Sequence, residues 1–199
     1  MLNELSQVHI TNGDGKMEGI PSINVSSLSN DFCKKLSKIK DTVCNKCYSN
    51  RYSKMRPNLE NKLLLNSELL SEKLLMPSEL PVLNARYARF NSFGEIINET
   101  HYLNLMLIAS HNPFTTFGLW TKRADIVMEF PKVKNIKYVY SVTKVGNNEP
   151  SKAIIDYFDK IFIVHSRKST TIMNCYGKCL SCLLCYSDNK IKVINEKIK

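Results

Sequence analysis

The chain has 199 residues, 43% hydrophobic and 23% charged, the balance of an ordinary globular protein with enough apolar material for one packed domain. No apolar run approaches the ~20 residues a membrane-crossing helix needs, and residues 1–15 lack the basic and then apolar regions of a secretory leader, so the expected location is cytoplasmic. The formal charge of +10 favours acidic partners, nucleic acid or nucleotides first, although a lysine-rich solvated surface accounts for it as well.

Residues 1–19 are polar and contain glycine, and they are expected to form a flexible N-terminal arm. Residues 20–199 are expected to form a single α/β metal-binding domain. The alternation of Ile20 to Ser26 predicts a short strand, and a Ser/Asn/Asp cluster then predicts a loop that leads to Cys33, Cys44 and Cys47. Asn61 to Leu75 has helical spacing, with Leu65, Leu69, Leu70 and Leu74 as its apolar residues, and Pro77 and Pro81 end it. Val82 to Phe90 is predicted as a strand, Asn98 to Ser110 as a helix capped by Asn98, and Phe114 to Thr121 as a strand. Arg123 to Phe130 reads as a short helix and Ile136 to Thr143 as a strand. A loop at Gly146 to Asn148, a helix at Ser151 to Phe158 and a strand at Ile161 to His165 complete the alternation. A charged tail follows, with a last strand at Lys190 to Ile194. Strands alternating with helices imply a parallel sheet. The length suits a partial βα barrel or a short open, mostly parallel sheet, with the cysteine-rich loops at the C-terminal edge of its strands.

Seven cysteines fall in two groups: Cys33, Cys44 and Cys47 early, and Cys175, Cys179, Cys182 and Cys185 late. Such clusters in a reducing compartment point to metal rather than to a disulfide framework. A single zinc site uses four thiolates and leaves three over; two zinc sites need a histidine such as His165 as an eighth ligand. Iron–sulfur clusters, most simply 4Fe-4S, account for seven as three plus four. In that division one cluster keeps an iron with no protein ligand, free for a substrate or cofactor. Zinc stays open as the alternative metal.

The order of short motifs resembles a phage and plasmid family known as gene product eighty-eight. The matching residues are Cys33, Cys44 and Cys47-Tyr48, then Arg89 leading to Gly94-Glu95, then Leu119-Trp120-Thr121-Lys122-Arg123, then Ser141 and the late cysteines. The likeness spans roughly residues 20 to 196 and implies a mobile-element protein working in a bacterial host cell. More distantly the chain resembles radical S-adenosylmethionine (SAM) enzymes, which place three cysteines after the first strand of a partial βα barrel and a Gly-Glu motif after the second. Gly94-Glu95 is in that place, and Ser141 or Thr143 could approach the ribose. The C-x3-C-x2-C spacing of those enzymes occurs here at Cys175, Cys179 and Cys182, after a late strand. The resemblance implies SAM as a cofactor, bound by Gly94, Glu95 and Ser141; Arg89, Lys122 and Arg123 are read as further cofactor-binding residues that meet an anion.

Other residues carry competing readings. Glu95 could orient an amine or only start a helix. Arg86 and Arg89, read as sharing one strand face, could neutralise an anion or simply be solvated. Trp120 and Phe117 read as core before they read as a base-stacking platform. Lys122 and Arg123 suit an anion, His165 reads as structural before ligand, and Lys34, Lys35, Lys38 and Lys40 suit phosphates or solvent. The leading function is an iron–sulfur protein that uses SAM on nucleic acid or a nucleotide. The alternatives are a metal-stabilised nucleic-acid-binding module and a redox sensor.

Overall fold

The computed structural model describes residues 7–146 and 149–198, so the loop predicted at Gly146 to Asn148 lies mostly outside the described residues. Seven strands form one sheet in the order β1-β2-β3-β4-β5-β6-β7: Ile10–Thr11, Ser22–Ile23, Tyr87–Phe90, Thr116–Thr121, Ile136–Ser141, Lys160–His165 and Val193–Lys197. β1 runs antiparallel to β2, and every other pair is parallel. The α/β alternation and the mostly parallel sheet are as the sequence predicts. The helices are α1 (Asp31–Ser37), α2 (Tyr48–Met55), α3 (Pro57–Glu72), α4 (Glu99–His111), α5 (Ala124–Val127), α6 (Lys152–Tyr157) and α7 (Cys179–Cys182). Among the described residues, no helix is long and apolar enough to cross a membrane.

The strand order never reverses, so the two faces of the sheet have different fates. Phe90, Phe117, Leu119 and Tyr138 pack with Leu105, Ile108 and Phe158 in the apolar core, where Phe90 and Phe117 stack at 4.5 Å between centroids. Residues of opposite parity, Arg89, Trp120, Phe162 and Ile194, line a cavity on the other face.

Several elements differ from the sequence reading. Residues 7–19, expected in a flexible arm, supply β1 and a 3-10 turn at Gly15–Met17, and Lys16 of that turn reaches Glu196 of β7 at 2.6 Å. The predicted strand at Val82 to Phe90 begins only at Tyr87, since Leu83 donates its N–H to Asn112 Oδ1 at 2.7 Å instead of entering a ladder. The last strand starts three residues later than Lys190. Helix α3 buries Leu63, Asn66, Ser67 and Leu70, while Leu65 and Leu74 are exposed. Its inward face carries polar residues because it packs against open backbone. Asn66 accepts the His9 N–H and donates to the carbonyls of His9 and Asn24, and Ser67 accepts the Ser26 N–H at 2.9 Å.

Candidate metal centre

The loop between β2 and α3 brings in the first three cysteines. Asn30 caps α1, its Oδ1 accepting the Cys33 N–H at 3.2 Å, while its Nδ2 donates to the Glu95 carbonyl at 2.9 Å. One side chain thus fixes both the cysteine helix and the Gly94-Glu95 turn. Beyond α1, Val43 N–H donates to the Thr143 carbonyl at 2.9 Å, and Thr42 bridges Lys144, so Cys44 is tied to the end of β5. Cys47 precedes α2, where Tyr48 donates its hydroxyl to the Ser92 carbonyl and packs edge-on to Phe93 at 5.7 Å.

The last four cysteines arrive differently. The connection from β6 to β7 leaves the helical layer aside and lies over the open face of the sheet. Tyr186 is buried there against Tyr87, Trp120 and Gly118. A Cβ at Gly118 would meet the Trp120 and Tyr186 rings at 2.5 and 2.9 Å, so only glycine leaves room for this cover. Asn174 and Cys175 donate their N–H groups to the Asn195 carbonyl of β7. Lys16 donates to the Cys175 carbonyl at 3.0 Å, and its Nζ lies 3.7 Å from the Cys175 Sγ.

All seven cysteines are free thiols, and all seven line one cavity of about 1330 Å³. Among the described residues, no three His, Cys, Asp or Glu side chains converge closely enough to hold a single metal ion. The thiols do form two electrostatic neighbourhoods. Burial first, then the charges of Glu95, Cys44 and Cys47, pushes the Cys33 thiol up, with Lys122 acting the other way. Burial pushes Cys185 up to about 12, aided by Cys175, Cys179 and Cys182 and opposed by Arg89. Thiols held in this state give up a proton when a cation takes its place.

Each group has its own buried or half-buried cations. Burial disfavours the Lys122 charge, but Cys44, Glu95, Cys33 and Cys47 outweigh it and raise Lys122 above its usual range. Arg89 lies over the Trp120 ring at 4.0 Å and donates to Met17 Sδ at 3.3 Å, and its Nε is buried with no partner. Arg86 lies outside β3 and rests on Tyr87 at 5.5 Å. Three residues apart on an extended chain, the two arginines cannot share a face, so only Arg89 enters the cavity.

The remaining candidates divide. Ser141, at the end of β5, lines the cavity. Gly94 has φ +75°, and a Cβ there would stand 2.4 Å from the Val25 carbonyl oxygen, so the turn requires glycine. Glu95 is 3% exposed and heads no helix; its carboxylate accepts from Ile96 N–H (2.9 Å), Thr121 Oγ1 (2.6 Å) and Lys122 N–H (2.9 Å). It clasps the ends of β3 and β4. Arg123 lies outside the cavity lining, bonded to Asp125 and to the Ile96 and Ile97 carbonyls, with its guanidinium over Phe32. Trp120, read as core, faces the cavity, whereas Phe117 is core. His165 is buried against Asn195 Oδ1 at 2.8 Å.

Sequence reasoning missed Asn24 and Asn91, which follow β2 and β3. Both line the cavity and are 1% and 5% exposed, yet Asn24 Nδ2 and both side-chain polar atoms of Asn91 have no protein partner. Buried amides left open in this way belong to sites that take a ligand or water. Asparagine beside a strand end looks like ordinary turn chemistry in sequence, so no signal set them apart. A second cavity of about 400 Å³, between Ile10, Pro21 and Val82, holds no such groups. No family model matches the chain, and no curated protein or solved structure matches it.

Proposed function

We propose that this protein is an iron–sulfur enzyme that uses SAM and acts on nucleic acid or a nucleotide. The observation that carries the reading is the meeting of all seven cysteines, in groups of three and four, around one cavity on the open face of a sequentially ordered parallel sheet. The donor set fits the group: soft thiols, cations beside each set, and space for a ligand between them. Cys33, Cys44 and Cys47 would hold one cluster, which would supply a binding point for SAM and an electron. Cys175, Cys179, Cys182 and Cys185 would hold a second.

The chain's own residues do the rest. Lys122 offsets the charge of the first thiolate group and Arg89 that of the second. Asn24, Asn91 and Ser141 offer hydrogen bonds to a bound molecule. Trp120, Tyr186, Phe162 and Val164 keep water from the floor of the cavity. Glu95 and Arg123 act at one remove: they lock the β3 and β4 ends that present Lys122. The reading is supported by the order of these parts: three cysteines follow β2 and Gly94-Glu95 follows β3, an order like that of SAM enzymes.

Anaerobic purification with an absorption spectrum and counts of iron, sulfide and zinc tests the cofactor. Visible absorption with iron and sulfide in equal amounts is expected. A colourless protein with stoichiometric zinc would overturn the reading in favour of a metal-stabilised binding module. After reduction, SAM should yield methionine and 5′-deoxyadenosine; an intact cluster without cleavage would remove the enzyme claim.

A further inference from the structure

Eight lysines and arginines line the cavity against three carboxylates, Asp14, Glu95 and Glu196. Three of the cations are accounted for: Lys122 by the first cysteine group and Glu95, Lys16 by Glu196 and Cys175, and Arg89 by Trp120 and the second cysteine group. Of the other five, Lys197 belongs to β7 and four cluster on one element. Lys46, Arg51, Lys54 and Arg56 are all exposed, come from α2 and its flanks, and make no salt bridge among the described residues.

Two of these are held in place. The guanidinium groups of Arg51 and Arg56 lie 5.6 and 4.9 Å from the Tyr52 ring centroid, so they are partly ordered before any ligand arrives. The eight residues of α2 span about 12 Å at the usual helical rise, longer than one phosphate group needs. The late cysteine run adds Tyr176 to the same cavity lining, with 75% of its surface exposed. An exposed aromatic ring and unpaired cations around one cavity form the pairing that single-stranded nucleic acid uses: phosphates on the cations, a base on the ring. A duplex cannot deliver a base into a recess without extruding it.

We propose that the mouth formed by α2 and Tyr176 binds single-stranded nucleic acid, with its backbone along Lys46, Arg51, Lys54 and Arg56 and a base stacked on Tyr176. This deepens the substrate class proposed above and rests on the same cavity. It is read without turnover, so it stands or falls separately from the cofactor.

The test is fluorescence anisotropy of the full-length, anaerobically purified protein with labelled 20-nucleotide DNA and RNA single strands and the matching duplex, across a salt series. Single strands should bind more tightly than duplex, and the DNA and RNA arms show which sugar is preferred. Arg51→Ala with Arg56→Ala should weaken binding about tenfold and reduce the slope of log affinity against log salt by about 1.4, the value for two lost single-strand phosphate contacts. Tyr176→Leu should weaken it about tenfold, and Tyr176→Phe should restore it. Lys35→Ala with Lys38→Ala, on α1 and at its C-cap and both outside the cavity lining, should leave affinity unchanged. Metal counts and thermal melts on each variant separate lost binding from lost structure. Equal binding of duplex, equal losses from the α1 and α2 pairs, or tighter binding of an acidic peptide than of either strand would overturn the proposal.

Discussion

The Arg89 guanidinium lies 4.0 Å from the centroid of the Trp120 ring, on the face of the sheet opposite the helices. It joins adjacent strands β3 and β4 and puts a cation in front of the last four cysteines. Arg89→Gln should therefore lower the metal retained by that group, whereas Arg86→Gln should not, because Arg86 points elsewhere. Metal counts on the two variants, purified side by side, check this.

The two cysteine groups should load separately. Cys33→Ala with Cys44→Ala should remove the iron of the first group, and Cys179→Ala with Cys182→Ala that of the second. Each pair should leave roughly half the iron of the parent protein if seven thiols serve two clusters of equal size. Iron and sulfide analysis, with electron paramagnetic resonance of the reduced proteins, would reveal whether either pair empties both.

Gly94 is a sharp structural test. With φ +75° and the Val25 carbonyl 2.4 Å from a built Cβ, Gly94→Ala adds a clash to backbone strain and should cost about 2 kcal/mol or more. Gly146 also has positive φ, at +101°, but a Cβ there meets open space, so Gly146→Ala should cost only about 1 kcal/mol. Urea unfolding of both proteins measures the difference.

Glu95→Gln keeps the shape of the clasp and removes one acceptor. The new amide N–H would face a donor, either the Lys122 N–H or the pair from Ile96 and Thr121. One buried donor left unmet should cost about 1–3 kcal/mol. Thermal denaturation reads it.

His101 gives a pH dependence. It is fully buried, its Nδ1 accepts the Ile97 N–H at 3.1 Å, and desolvation pushes its pKa down to about 3 from 6.5. The folded pKa lies below the unfolded one, so neutral His101 contributes stability that is fully present above about pH 6.5. That contribution is lost as the pH falls toward 3, at up to ~1.4 kcal/mol per unit for one proton. The stability difference between the parent and His101→Gln should therefore change steadily below pH 6.5 and stay flat above it.

The run of apolar segments was enough to read an alternating α/β order, because central parallel strands are apolar on both faces and stand out from polar loops. That same property hid the faces. Thr116 to Thr121 is nearly continuous in hydrophobicity, so parity alone could not tell that Phe117 enters the core and Trp120 the cavity. Helices α1 and α2 were missed because they lie at the rim and bury almost no apolar residue, leaving no 3.6-residue pattern to detect. In α3 the inward face is set by backbone groups at His9, Asn24 and Ser26 that need partners, and polar Asn66 and Ser67 outrank the leucines there.

Sequence by itself determined the cysteine count, the two spacings and the excess of positive charge, since these are properties of composition and short range. It also determined that glycine and a carboxylate follow the strand containing Arg89. Only the tertiary structure decided that Cys33 and Cys185 line one cavity, that Lys122 and Arg89 serve different thiol groups, and that Glu95 and Arg123 brace it while Asn24 and Asn91 face it. Those choices depend on contacts between residues far apart in the chain, made when a sequential sheet leaves one face open and the β6–β7 connection folds back to cover it.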